Sequence, residues 1–317
     1  MRDFSRCISL LSACRRFHRS SATPMTNSGK KLGLSLGFIG MCLFAGTLPA
    51  TRLAVFGFDP WFLTVARAAL AASAGFVVLL ILRRRVPPRS LWLEMFAAAL
   101  CTVVGFPLFA ALAMMTVPVA HGGVVLGILP LATAAAAAIF AHERPSLGFW
   151  LASAAGAVIV IAFMLRRSRG ETFSAGDLYL LGTVVSGALG YTFSGRLATR
   201  MPGWEVISWQ VAIFLPLAAL ATFALWPANT GSVSTLSWAG LAYVGFVSQY
   251  TAFFVFNAAL AIGGIARVGQ VMLLQPFTIM ALALPVNGEA INVETILFAA
   301  AVVATVLIGQ RMRVVRP

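Results

Sequence analysis

The sequence predicts an all-α integral membrane protein with ten transmembrane helices arranged as two inverted five-helix repeats. Three observations carry this prediction: the composition, the ten long apolar segments and an internal repeat. Of the 317 residues, 60% are hydrophobic and 10% are charged, whereas a soluble domain has about 25% charged residues. Most of the surface of this chain must therefore face lipid.

Ten segments are long and apolar enough to cross a bilayer. A membrane-spanning helix needs about 20 mostly apolar residues, because the hydrocarbon layer is about 30 Å thick. The predicted spans are residues 33–54, 60–82, 91–113, 118–140, 146–165, 178–197, 206–226, 238–260, 265–285 and 293–310. The connections between them are short, so we expect no domain outside the membrane.

The basic residues indicate topology. The chain has 23 Lys and Arg against 9 Asp and Glu, a formal net charge of +14. They flank the apolar segments instead of forming a stripe on a polar domain, which argues against a nucleic-acid partner. Basic residues are expected mainly on the cytoplasmic side. If the N-terminus is cytoplasmic, the basic residues left on the outer side are Arg52, Arg166, Arg167 and Arg169. The prediction is a multi-pass protein of the bacterial inner (plasma) membrane with both termini in the cytoplasm.

The N-terminal segment, residues 1–31, is basic and poor in acidic residues. That composition can mimic a transit peptide. We favour a disordered cytoplasmic tail, or an upstream extension before a translation start at Met25. The predicted division of the chain is therefore 1–31, a first repeat 32–168, a second repeat 175–311, and a short basic tail 312–317.

Matched prolines and glutamates indicate the repeat. Pro130 precedes Glu143 by 13 residues, and Pro276 precedes Glu289 by 13 residues. Each half contains five spans, an odd number, so the second half must enter the membrane from the opposite side. Inverted repeats of this kind are typical of secondary transporters, because two similar halves can exchange conformations around a central site.

These same residues resemble a known family. The apolar run with Leu129-Pro130 that ends in Glu143-Arg144, and its second copy with Gln275-Pro276 and Gly288-Glu289, are similar to the EamA branch of the drug/metabolite transporter superfamily. The resemblance covers roughly residues 33–310. It implies a carrier of amino acids or other metabolites, while related branches carry nucleotide sugars or sugar phosphates.

Arg67 is the predicted centre of a substrate site. It lies seven residues inside the second span, about 10 Å deep at 1.5 Å per residue. Ionisable residues inside a membrane are costly and point to function. The guanidinium could clamp a substrate carboxylate or phosphate. The alternative is a side chain that extends to the interface or pairs with helix carbonyls.

Other polar side chains in the spans are predicted to face the bundle interior, because an unpaired amide in hydrocarbon is unfavourable. Some of them would line the substrate path, and others would only tie helices together. The candidates besides Arg67 are Tyr191, Trp209, Gln210, Gln249, Tyr250, Gln270 and Gln275.

Three further residues have candidate roles in motion or proton sensing. Pro130 and Pro276 lack an N–H and should interrupt their helices, which makes them hinges or packing kinks. His121, at the start of the fourth span, could sense or carry a proton. Its alternative role is an interfacial hydrogen bond.

The predicted function is a secondary transporter of small metabolites such as amino acids, working outward by alternating access. No carboxylate falls near the middle of a span, which favours facilitated diffusion or exchange over proton coupling by an acidic relay. Drugs, nucleotide sugars and phosphorylated metabolites are alternative cargo. The sequence contains no ligand spacing for a metal, no cofactor motif and no catalytic constellation, so an enzyme or a channel is a distant alternative. The lipid bilayer and a small-molecule substrate are the expected partners, and a monomer is plausible.

Overall fold

The structure is a computed structural model. It describes residues 27–117, 119–167, 175–287, 293–312 and 314–315. This part of the chain contains ten helical segments. The uninterrupted helices are α2 (Pro60–Ile81), α5 (Leu147–Arg167), α6 (Ala175–Ala198), α7 (Gly203–Ala224) and α10 (Val293–Arg311). The others consist of consecutive pieces: α1 (Asn27–Ala45, Thr47–Val55), α3 (Trp92–Ala99, Leu100–Gly105, Phe106–Thr116), α4 (Val119–Leu126, Leu129–Phe140), α8 (Thr235–Ala242, Tyr243–Ala252, Phe253–Gly263) and α9 (Ile265–Gly269, Gln270–Leu274, Gln275–Asn287). Each predicted span overlaps one of these ten segments.

Short elements fill the connections. Single 3-10 turns precede α3 (Arg89–Leu91) and α8 (Thr230–Ser232). Two short strands, β1 (Arg144–Pro145) and β2 (Val314–Val315), pair in antiparallel register and tie the α4–α5 connection to the C-terminal tail. The described part of the chain is thus almost entirely helical, and a helix satisfies its own backbone groups, as a chain in lipid requires.

The distribution of side chains is that of a membrane protein. Large apolar side chains face outward along the helices, among them Phe76, Leu93, Leu151, Leu220 and Phe223. Polar side chains are buried between the helices instead. Among the described residues, five helical stretches are long and apolar enough to cross a membrane by themselves, namely those of α1, α2, α3, α7 and α8. The predicted all-α membrane fold is confirmed.

The packing repeats itself between the halves. α2 packs on α7, α4 on α9 and α5 on α10, so three helices each contact their own repeat counterpart. The contact of α1 with α8 is matched by the contact of α6 with α3, and that of α4 with α6 by that of α9 with α1. An approximate two-fold axis that relates the two repeats produces such pairs of equivalent helix contacts. Because each half has five crossings, the two repeats have opposite orientations.

Both predicted proline breaks are present. In α4 the first piece ends at Leu126 and the second begins at Leu129, with Pro130 in its first turn. In α9 a 3-10 stretch ends at Leu274, and the second piece begins with Gln275 and Pro276. A proline in the first turn of a helix needs no N–H partner. The two helices are therefore interrupted at equivalent positions of the two repeats.

Sequence analysis did not predict the kink in α1. The helix breaks at Gly46, and Pro49 removes the N–H that would bond the carbonyl of Ala45. Tyr243 Oη donates to the Leu43 carbonyl at 2.8 Å. A Cβ at position 46 would overlap the Tyr243 hydroxyl, so a larger residue there would displace Tyr243. The kink is thus supported from the second repeat.

Candidate functional site

Three consecutive polar residues of α8 contact four other helices, α1, α2, α3 and α7. Ser248, Gln249 and Tyr250 lie in the π-helical piece of α8. Stretches of π-helix are rare in proteins, and those that do occur are often found at functional sites. The equivalent part of α3, Leu100–Gly105, is also π-helical. The matched irregularity identifies the middle of α3 and α8 as the first feature of a candidate site.

The hydrogen bond of Ser248 joins the two repeats, and that of Tyr250 lies within the second repeat. Ser248 Oγ lies 2.8 Å from Thr47 Oγ1, the first residue after the α1 kink. Tyr250 Oη lies 2.9 Å from Ser208 Oγ of α7. These contacts hold α8 against α1 and α7 in the membrane interior.

Gln249 connects Arg67 to α3. Its amide oxygen accepts from Arg67 Nη2 at 2.9 Å, and its amide nitrogen donates to the Thr102 carbonyl at 3.0 Å. Thr102 lies in the π-helical piece of α3, where Gln249 supplies a donor to its carbonyl. The amide therefore fixes the position of the guanidinium without neutralising it.

Arg67 is buried, with 2% of its surface exposed. Nη2 also lies 3.5 Å from Ser248 Oγ, at the limit of a hydrogen bond. Nε is buried and has no partner among the residues that the structure describes. No described carboxylate pairs with this guanidinium. The alternative that Arg67 extends to the interface does not fit this burial.

Thr51 lies one helical turn after Thr47 in the second piece of α1. Residues four apart occupy one face of a helix, so the two threonines project from the same side of α1. The hydroxyl of Thr51 is buried and, within the described chain, has no hydrogen-bond partner. Thr47, Thr51, Arg67, Ser248 and Gln249 are named the Arg67 cluster below.

The remaining predicted amides tie helices together. Gln210 Nε2 donates to Ser194 Oγ of α6 at 2.9 Å, and Gln270 Nε2 donates to Ser153 Oγ of α5 at 2.8 Å. Gln275 Nε2 donates to the Phe44 carbonyl at the α1 kink, at 3.4 Å. Each of these amides has a buried oxygen without a partner in the described part of the chain.

The two remaining aromatic candidates lie apart from the Arg67 cluster. Tyr191 of α6 packs in an aromatic group with Phe44 of α1 and with Phe253 and Phe256 of α8, at ring-centre distances from 5.0 to 5.9 Å. Trp209 packs against a separate apolar cluster that includes Leu91. The structure thus brings Arg67 and Gln249 into contact, joins Tyr250 to Ser208 of α7, and distributes the other candidates over the bundle.

His121 and Glu289 cannot be assigned contacts. The backbone of His121 lies in α4, but its side chain lies outside the described part of the structure, as does Glu289. No group of three or more His, Cys, Asp or Glu side chains comes together among the described residues.

Glu143 has a structural role that sequence analysis described only as a helix-terminal anchor. It is 5% exposed, and its two carboxylate oxygens accept from the backbone nitrogens of Ile265 at 3.0 Å and Ala266 at 2.9 Å. Gly264, at φ 93°, turns the chain between α8 and α9 so that these N–H groups are available. A carboxylate at the start of a helix is stabilising because of the free N–H groups and the helix dipole.

Opposite ends of the bundle are closed by different chemistry. At one end, named the charged face, Glu94 of α3 pairs with Arg196 at 2.8 Å and with Arg200 at 3.0 Å. Arg84, after α2, lies 3.7 Å from Glu205 of α7. Each pair joins the first repeat to the second.

The other end, named the aromatic face, is closed by stacked rings. Phe58 and Phe62 of the first repeat contact Trp238 and Trp226 of the second, with ring centres 4.8 and 5.7 Å apart. The Arg67 cluster lies between the two faces, on α1, α2 and α8. Sequence analysis missed Thr47, Thr51, Ser248 and Ser208, although the Gly46 to Pro49 spacing and the four-residue spacing of the threonines mark the region.

The chain is similar to known transporters. The EamA-like transporter family matches residues 31–166 and again residues 174–309. A Bacillus subtilis (strain 168) protein described as the uncharacterized transporter YdeK is 41% identical over 272 residues, which are 84% of this chain and 94% of the relative. A crystal structure superposes with a TM-score of 0.71 at 18% identity, over 88% of this chain and 98% of that one.

Fold and similarity together define a membrane transporter built from two inverted repeats. The two matches divide the chain into the same two halves that the packing relates, and the structural match shows the shared fold. The chain belongs to the EamA-like transporter family.

Proposed function

We propose that this protein exports small metabolites such as amino acids by alternating access of its two repeats. One observation supports this most: the interrupted helices α4 and α9 pack on each other at equivalent positions of the two repeats. Matched breaks in inverted repeats are typical of the substrate region of secondary transporters. The description of the YdeK relative as a transporter agrees with this proposal.

Opening would separate contacts that now join the repeats. At the charged face these are the ion pairs of Glu94 with Arg196 and Arg200. At the aromatic face they are the ring contacts of Phe58 and Phe62. If the contacts at one face form while the contacts at the other face separate, the centre of the bundle opens to each side in turn. Pro130 and Pro276 would serve as hinges in this motion.

Facilitated diffusion or exchange fits the positions of the acidic residues better than coupling to protons through a carboxylate. The carboxylates whose side chains the structure describes all lie at helix ends; they are Asp59, Glu94, Glu143, Asp177 and Glu205. A proton relay commonly needs an acidic residue within the membrane. His121 is the remaining candidate for a proton carrier.

The proposed orientation follows from the distribution of basic residues. The loop between α2 and α3 contains Arg83, Arg84, Arg85 and Arg89, and it lies at the charged face. Cytoplasmic loops of membrane proteins carry an excess of Lys and Arg. The charged face would therefore lie on the cytoplasmic side of a bacterial inner membrane, together with both termini.

Uptake of labelled amino acids into liposomes containing the purified protein tests this proposal. We expect saturable uptake of at least one amino acid, stimulated by the same unlabelled compound inside and unchanged by an imposed proton gradient. Protein-free liposomes are the control. Uptake that requires the gradient would contradict the exchange mechanism, and flux that does not saturate would indicate a channel. Chemical conversion of the label would indicate an enzyme, and uptake only of nucleotide sugars, phosphorylated metabolites or drugs would replace the proposed cargo.

A further inference from the structure

We propose that the Arg67 cluster binds the carboxylate group of the transported metabolite, with Arg67 as the cation and the hydroxyls of Thr51, Thr47 and Ser248 as additional polar contacts. The inference rests on the proposed function, because it assigns a chemical class to the cargo of the same protein. It predicts that the protein distinguishes carboxylates from otherwise identical compounds in which an uncharged amide replaces the carboxylate.

The first argument is the unused hydrogen-bonding capacity of Arg67. A guanidinium has five N–H donors. Nη2 contacts Gln249 and Ser248, whereas Nε is buried and has no partner in the described part of the chain. A buried charge is unfavourable unless it is paired and hydrogen-bonded. An anion that bound here would supply both the charge and the missing acceptors.

The second argument comes from the equivalent positions of the second repeat. Shifting Arg67 and Thr51 by 143 residues gives Gln210 and Ser194, with the same separation of 16 residues between the two members. Gln210 and Ser194 are hydrogen-bonded to each other at 2.9 Å. In the first repeat, Arg67 Nε and Thr51 Oγ1 are both buried and, among the described residues, unpartnered. One repeat closes this position with a protein hydrogen bond, and the other leaves it open to a bound group.

The third argument concerns the kind of anion. The guanidinium supplies one positive charge, and its planar fork of donors matches a carboxylate. A phosphate monoester carries a charge of about −1.5 to −2 at neutral pH, and Arg67 alone would leave part of it unpaired in the membrane interior. The other described arginine of this region, Arg52, donates to the carbonyl of Met114 instead. The geometry therefore favours a monocarboxylate.

The fourth argument is that the guanidinium is held in place before a ligand binds. Gln249 is itself fixed by its bond to the Thr102 carbonyl at 3.0 Å. Ser248 is fixed by Thr47 at 2.8 Å. A preorganised donor loses less side-chain entropy on binding. The contact partners of Arg67 come from α8, so binding at this cluster would also involve the contact between the two repeats.

Thermal unfolding of the purified full-length protein in detergent tests the proposal. The probes are the natural L-amino acids and their C-terminal amides at equal concentrations, and affinities are obtained from the concentration dependence of the unfolding midpoint. We expect at least one acid to stabilise the wild type where its amide does not. In Arg67→Gln the affinity for that acid should fall by about ten-fold or more, because a hydrogen-bonded charge is lost.

Two further variants keep the test informative. Thr51→Val preserves the shape and the charge of the cluster, and should weaken binding of the acid by a smaller factor, about three-fold to ten-fold. Arg85→Gln makes the same substitution as Arg67→Gln at an exposed position of the α2–α3 loop, and should bind like the wild type. Elution of each variant as a single species in size-exclusion chromatography verifies folding.

Equal stabilisation by acids and amides, or by neither, would overturn the proposal, as would an unchanged preference for acids in Arg67→Gln. The outcomes also separate this inference from the proposed function. A preference for acids that depends on Arg67, without transport in liposomes, supports the binding site and removes the transport proposal. Transport of acids and amides at equal rates by wild type and Arg67→Gln supports transport and removes the carboxylate site.

Discussion

Cross-linking position 94 to position 196 is expected to reduce transport to the level of protein-free liposomes. Glu94 and Arg196 belong to different repeats and form an ion pair of 2.8 Å at the charged face. If the repeats must separate there in every cycle, a covalent link stops the cycle. The variant carries Glu94→Cys and Arg196→Cys in a background in which Cys7, Cys14, Cys42 and Cys101 are replaced by Ser.

The cross-linking experiment has internal controls. A reducible bifunctional reagent forms the link, and transport is measured before the reaction, after it and after reduction. Proteins with only one of the two new cysteines receive the same reagent and should retain their transport, because they cannot be linked. Full transport by a completely cross-linked protein would show that the charged face does not open. Loss that reduction does not reverse would indicate damage instead of locking.

Glu143→Ala is expected to destabilise the protein by about 3 kcal/mol. The Glu143 carboxylate accepts from two backbone N–H groups at the start of α9 and is almost fully buried. Hydrogen bonds to a charged group contribute about 1.5 to 3 kcal/mol each, and the N–H groups left without an acceptor are costly. The free energy of unfolding in mixed detergent micelles measures the effect.

Asp59→Ala is the matched control for this substitution. Asp59 also accepts from two backbone N–H groups at a helix start, those of Trp61 at 2.8 Å and Phe62 at 3.4 Å. Its side chain is exposed, so water can replace it, and the expected cost is about 1 kcal/mol. A loss in Glu143→Ala no larger than in Asp59→Ala would contradict the assignment of Glu143 as a buried cap that joins the repeats.

The sequence was sufficient to predict the fold class, because spans and repeats depend on local composition. A run of about 20 apolar residues has few alternatives to a membrane helix. The prolines at 130 and 276 interrupt their helices at the predicted places, since the missing N–H is a property of the residue itself. The position of Arg67 within α2 could be read from the sequence, whereas its burial in the bundle depends on contacts with α8.

The parts that could not be predicted depend on contacts between distant residues. The kink of α1 is supported by Tyr243 and Gln275, which are about 200 residues or more away in the chain. The π-helical piece of α8 directs Ser248 and Gln249 toward different helices, and nothing in the local sequence specifies that irregularity. The partner of each buried amide is decided by distant residues: Gln210 bonds Ser194 of α6, whereas Gln249 bonds Arg67 of α2.

Paired distances at the two faces test alternating access most directly. Pulsed electron paramagnetic resonance measures one distance at the charged face, between spin labels on the exposed positions Leu93 of α3 and Thr199 after α6. It measures the other at the aromatic face, between labels on Phe56 after α1 and Leu236 of α8. Each pair joins the first repeat to the second.

With a transported compound identified by the liposome experiment, we expect two populations of each distance. Conditions that lengthen the distance at one face should shorten the distance at the other, because the repeats exchange conformations around the centre. Distances that stay fixed during transport, or that lengthen together at both faces, would contradict alternating access by the two inverted repeats.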